Sequence, residues 1–153
     1  MKQMRSIQQI VDAIRASHFP IGDGGEALIH AFEEKWGLCL PEDMREFYLA
    51  INGAALFRPP REFPPIVILP LEEMQTPLAA IFGDSANETR LVYIDRGDGD
   101  FLAIELGNDK DFGKVIDCWH EAYPSAEYCG IVFNSFTESV DAALDGGGKS
   151  LFW

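Results

Sequence analysis

The sequence predicts an α+β domain, a mostly antiparallel sheet with helices packed on one side, and three features carry that prediction. In the first third of the chain apolar residues recur at spacings of three and four. Between residues 90 and 119 β-branched and aromatic residues gather in short runs, and after residue 135 the helical spacing returns. The order helices, sheet, helix places a helical layer against a sheet, in a single domain over residues 1–153.

Ser6 and Gln9 have the spacing of a capping box, and Ile7, Ile10, Val11 and Ile14 form one apolar stripe, so a short first helix is expected. Residues 21–25 are a glycine-rich link. Leu28, Ala31, Phe32 and Trp36 make a second stripe, ended by Gly37, with Trp36 expected in the core. A short elbow, Leu38, Cys39, Leu40 and Pro41, follows. Pro41, with its fixed φ and missing N–H, suits the first position of a third helix. Met44, Phe47, Tyr48 and Ile51 line one face of that helix, and Glu42 and Asp43 suit the positive end of its dipole. Asn52 and Gly53 are read as its stop, because both tolerate the left-handed conformation. Residues 66–69 are an apolar run with proline on both sides, which predicts a short edge strand. Residues 71–82 show weak helical spacing interrupted at Pro77.

Residues 90–95, 101–106 and 114–119 then read as strands of an antiparallel meander. Their connectors carry glycine and are crowded with aspartate. Residues 131–133 add a further strand. Ser135 with Glu138 has capping-box spacing for a last helix, whose buried stripe is Phe136, Val140, Ala143 and Leu144, stopped by Gly146, Gly147 and Gly148.

At 153 residues the chain is long enough to build a core without disulfide or metal. No stretch approaches the roughly 18 consecutive apolar residues of a membrane span. The first residues mix Gln, Asp and Arg with apolar side chains and lack a signal-peptide core, so a cytoplasmic location is expected. Cys39, Cys118 and Cys129 are odd in number with no C-x-x-C pair, which predicts reduced, mostly buried thiols. The net charge is -13. Residues 70–145 hold sixteen acidic against four basic side chains, and residues 1–69 nine against seven. Acidity can serve solubility alone. Concentrated in one half, it disfavours nucleic acid and anionic membrane and attracts a basic protein.

Candidate chemistry is sparse. His120 and Glu121 begin like H-E-x-x-H, but Pro124 occupies the place of the second histidine, so the zinc pair is missing. His18 and His30 have no nearby Cys or Asp partner in sequence, and residues 83–87 lack the second glycine of a nucleophile elbow. Asp95, Asp98, Asp100, Asp109 and Asp111 have the composition of a cation site without the ligand spacing of a calcium loop. Turn chemistry is the leading account of these aspartates, with a protein-binding rim and a metal site as alternatives. Trp119 is expected in the core, with an interface anchor as the alternative.

Leu40-Pro41 before an apolar helix and Asn52-Gly53, the strand-turn-strand of residues 93–106, Gly113-Lys114-Val115 leading to Trp119-His120-Glu121, and Asn134-Ser135-Phe136 opening a helix occur here in a set order. In that order and spacing the chain resembles the SUKH superfamily, which includes the Smi/Knr-like cell-wall assembly regulators of fungi and many bacterial proteins. The resemblance implies an α+β fold with helices on one side of the sheet, no catalytic signature and no cofactor. It also implies one of two roles, a bacterial immunity protein that neutralises a toxin, often a nuclease, or a regulatory scaffold. The apolar tail Leu151-Phe152-Trp153 departs from the family pattern.

The function expected is therefore binding, most simply capture of a basic, nuclease-type toxin domain by an acidic surface of the sheet. The residues expected to contribute are Asp95, Asp98, Asp100, Asp109, Asp111, Asp117 and Glu121, with Trp119 as anchor. A scaffold of the cell-wall regulator type and a metal-dependent hydrolase built on the aspartate turns are the alternatives.

Overall fold

The computed structural model describes residues 3–57, 66–84, 87–97, 99–121, 123–125 and 129–146. Among the described residues seven strands pair antiparallel in sequence order: β1 (Phe19–Pro20), β2 (Ala54–Leu56), β3 (Ile66–Ile68), β4 (Arg90–Asp95), β5 (Phe101–Glu105), β6 (Val115–Cys118) and β7 (Ile131–Phe133). The helices are α1 (Ile7–Ser17), α2 (Glu26–Trp36), α3 (Glu42–Ala50), α4 (Pro77–Phe82) and α5 (Phe136–Asp145), with a 3-10 turn at Leu71–Glu73.

Strand alternation sorts the side chains between two faces. Leu91 opposite Ile104, Ile94 opposite Leu102, and Ile104 opposite Val115 point into the main core. There they meet Ile10 and Ile14 of α1, Phe47 and Tyr48 of α3, and Phe136 of α5. A bulge between Val92 and Ile94 lets Tyr93 join the same core, where it packs on Phe136 and its hydroxyl bonds Ser139 Oγ at 2.6 Å. Val92, Ala103, Ile116 and Cys118 form a smaller cluster with Leu78, Ala80 and Ile81 of α4 packed against it. The larger helices thus cover one face, and α4 with the chain after β6 covers the other.

Several local expectations hold in detail. Ser6 and Gln9 form the full capping box, and Ile7, Ile10, Val11 and Ile14 are all buried. Ser135 caps α5 by accepting from the Glu138 N–H. Gly37, at φ 66°, closes α2 by donating to the Glu33 carbonyl.

Four expectations need correction. The buried residues of α2 are Ile29 and Phe32, while Ala31 is exposed and Trp36 half-buried, so the stripe is rotated from the one read in the sequence. α3 ends in an extended Ile51 (φ -139°), and Asn52-Gly53 is not its cap. Asn52 Oδ1 accepts from Leu71 N at 2.9 Å and its Nδ2 donates to the Glu72 carboxylate at 2.9 Å, so the residue fastens the helical layer to the segment after β3. Gly53 (φ 90°) is needed there because a Cβ would stand 2.6 Å from the Ile68 carbonyl oxygen. β3 is an interior strand between β2 and β4, because the flanking prolines lie outside the three residues that make its ladder. Pro77 opens α4 instead of interrupting a helix, with Thr76 as N-cap. Asp98, residues 58–65, Gly147, Gly148 and the tail Leu151-Phe152-Trp153 lie outside the described residues.

Candidate protein-binding site

An antiparallel meander places successive connectors at opposite ends of the sheet, and this divides the carboxylates expected to act together. Residues 96–100 join β4 to β5, and Phe101 pairs with Cys118 at the end of β6. Asp95, Asp100, Asp117, Trp119 and Glu121 therefore gather at one end. Asp109 and Asp111 belong to residues 106–114, which join β5 to β6 at the other end, roughly 17 Å away along the five residues of β5.

At the first end the β4–β5 turn is built by its own carboxylates. Asp95 Oδ1 accepts from Gly97 N at 2.8 Å, and Arg96 N donates to the Asp100 carbonyl at 3.2 Å. Gly97 and Gly99 supply the positive φ angles. Asp100 reaches across to the chain after β6, where Oδ1 accepts from His120 N at 2.9 Å and lies 2.6 Å from His120 Nδ1. Arg96 Nη1 stands 3.5 Å from Asp117 Oδ1, with the arginine side chain only 7% exposed. Trp119, expected in the core, is 37% exposed beside these groups, because Cys118 takes the inward position next to it. Glu121 is exposed. Arg96 and His120 were not among the residues expected to shape this surface. Their partners become visible only with the strand register.

At the second end Asp109 Oδ1 accepts from Asp111 N at 2.8 Å, and the Asp111 carbonyl accepts from Lys114 N at 2.9 Å. Lys110 and Lys114 alternate with the two aspartates, so this connector carries no net charge. An apolar hollow lined by Leu38, Cys39, Leu106 and Phe112 lies between it and the α2–α3 elbow.

The second face holds a polar chain at the start of β4. Glu105, 6% exposed, accepts from Thr89 Oγ1, from Gly107 N at 2.9 Å and from Arg90 Nε at 3.2 Å. Burial alone would raise the Glu105 pKa, but these hydrogen bonds outweigh it and hold the carboxyl below its ordinary value. All three cysteines are free. Cys118 and Cys129 are buried, with thiols pushed up chiefly by burial, and Cys39 is exposed. His18 packs edge-on against Phe57, and His30 lies on the surface 3.6 Å from Glu34. Among the described residues no group of three or more His, Cys, Asp or Glu side chains could hold a metal ion, and no helix is long and apolar enough to cross a membrane.

A helical elbow docked on an antiparallel meander, with a polar turn and an exposed tryptophan at one end of the sheet, defines an α+β domain of a recognisable class. The chain belongs to the SMI1 / KNR4 family (SUKH-1), whose model matches residues 25–142, from the start of α2 into α5. The immunity protein YokJ of Bacillus subtilis (strain 168) is 31% identical over 120 residues, which span 74% of this chain and 70% of that protein.

Proposed function

We propose that this chain is a non-catalytic immunity protein that neutralises a basic, nuclease-type toxin domain by covering its cleft. The observation that carries the reading is the likeness to a protein named for immunity, over most of both chains. The surface at the β4–β5 end supports it physically. Asp95, Asp100, Asp117 and Glu121 outnumber Arg96, the arginine paired with Asp117, and bring net negative charge to the margin of the exposed Trp119. A nuclease holds phosphates in a positive cleft. A folded acidic surface is drawn to that cleft, speeds encounter and blocks it without making or breaking a bond. Trp119 supplies the apolar contact that such interfaces concentrate in a few aromatic anchors. The charge-balanced end bearing Asp109 and Asp111 is outside the interface in this reading.

The partner is expected to be encoded beside this gene, and the toxin domain encoded there is the reagent for the test. Glu121→Lys is the variant of choice, because that side chain is exposed and its one ion-pair contact is a long one, 4.0 Å to His120 Nε2. It should slow association about ten-fold at low salt and flatten the dependence of the rate on ionic strength. An unchanged rate and slope would remove the electrostatic account of this end.

A further inference from the structure

The chain leaving β6 carries Trp119, His120 and Glu121 and then passes over the second face of the sheet, where Tyr123 is buried beside Cys118 and Cys129. Tyr123 N donates to the Trp119 carbonyl at 2.8 Å, so a single tight turn connects the buried phenol to the exposed indole. The phenol hydroxyl donates to Glu88 Oε2. Glu88 is fixed in turn. Its Oε1 accepts from Leu78 N, in the first turn of α4, at 3.0 Å. On the other side of the turn, His120 is clipped to Asp100.

Resting on the reading of the Trp119 end as the binding surface, we infer that Tyr123 is a positioning residue: its grip on Glu88 holds the turn that presents Trp119, His120 and Glu121. The hydroxyl does not itself meet the partner. A buried phenol that donates to a carboxylate has its hydrogen bond strengthened by the apolar surroundings. A surface segment fixed before encounter has less freedom to lose on association. Its role is thus separable from that of the charged residues. Glu121 acts on the approach of the partner, and Tyr123 on how long the partner stays.

Tyr123→Phe tests this, because it removes one oxygen, leaves every charge in place and keeps the ring in its cluster. In the protein without partner, hydrogen exchange at the amides of residues 119–125 should accelerate about ten-fold, while α1 and β5 stay within about two-fold. With the toxin domain encoded by the adjacent gene, dissociation should accelerate about ten-fold, and association with its salt dependence should stay unchanged. Unchanged exchange at residues 119–125 overturns the positioning role whatever the partner does. Faster exchange with unchanged dissociation overturns it through the reading it rests on, since the turn would then lie outside the interface. Should Tyr123→Phe fail to fold, Glu88→Ala and Glu88→Gln carry the same test. Alanine removes both bonds and should loosen the turn, glutamine keeps its oxygen for Leu78 N and can meet the phenol oxygen through its NH2 and should restore protection, and equal exchange in both overturns the inference.

Discussion

Single residues hold this fold where layers meet, and Gly53 is the sharpest case. A Cβ there would stand 2.6 Å from the Ile68 carbonyl oxygen and 2.8 Å from Pro70 N, both backbone atoms, at a φ of 90°. Gly53→Ala should destabilise the protein by at least about 2 kcal/mol in equilibrium denaturation, from strain and overlap together. Loss of less than about 0.5 kcal/mol would mean the contact relaxes. Glu105 makes a pH-dependent prediction. Its folded pKa is held below the unfolded value, so its contribution is fully present above the unfolded pKa of about 4.3 and is lost as pH falls through the lower folded one. The stability difference between the wild type and Glu105→Gln should therefore be largest near neutral pH and shrink on acidification. A gap that is constant with pH would show that the carboxylate charge is not what Thr89, Gly107 and Arg90 stabilise.

Elements were legible in the sequence wherever the signal is local. The capping box of α1, the Ser135 cap of α5, the apolar stripe of α1 and the runs of β4, β5 and β6 are written in residues that act on their immediate neighbours. Ser135→Ala should accordingly lower stability by about 1 kcal/mol, by freeing the Glu138 N–H from its acceptor. An unchanged thermal midpoint would mean that water replaces the cap fully. The misread elements depend on something distant. Whether β3 is an edge or interior strand is decided by β2 and β4, which come from elsewhere in the chain. Asn52-Gly53 has the composition of a helix stop, yet its work is done against Leu71, Glu72 and Ile68, nineteen or twenty positions on for the two asparagine contacts. Ile29 replaces Ala31 as the buried residue of α2 because the angle at which α2 meets its neighbours, not the repeat alone, decides which flank of the stripe is covered.

For the whole molecule, the acidity of residues 70–145 is partly engaged inside the fold. Asp141 and Asp145 bind Arg5 at 2.7 and 2.9 Å, Glu105 and Glu88 belong to the polar chain of the second face, and Glu72 accepts from Asn52. The sequence gives the total charge. Only the meander decides which carboxylates share an end. That is why Asp109 and Asp111, close in sequence to Asp100, are separated from it, while Asp117 and Glu121 are brought near. It is also why Trp119, read as a core residue, is offered to solvent at the proposed interface. Trp119→Ala should change folding stability by less than about 1 kcal/mol and weaken partner binding by about 2 kcal/mol or more. The reverse pattern would return the side chain to a purely structural role. The central claim is that an acidic sheet end captures a cationic protein. Its most direct test is the association rate with the neighbouring toxin domain, followed by stopped-flow fluorescence from about 20 mM to 500 mM salt. The account predicts rapid association at low salt that falls steeply as salt rises. A slow rate that does not respond to salt would contradict it.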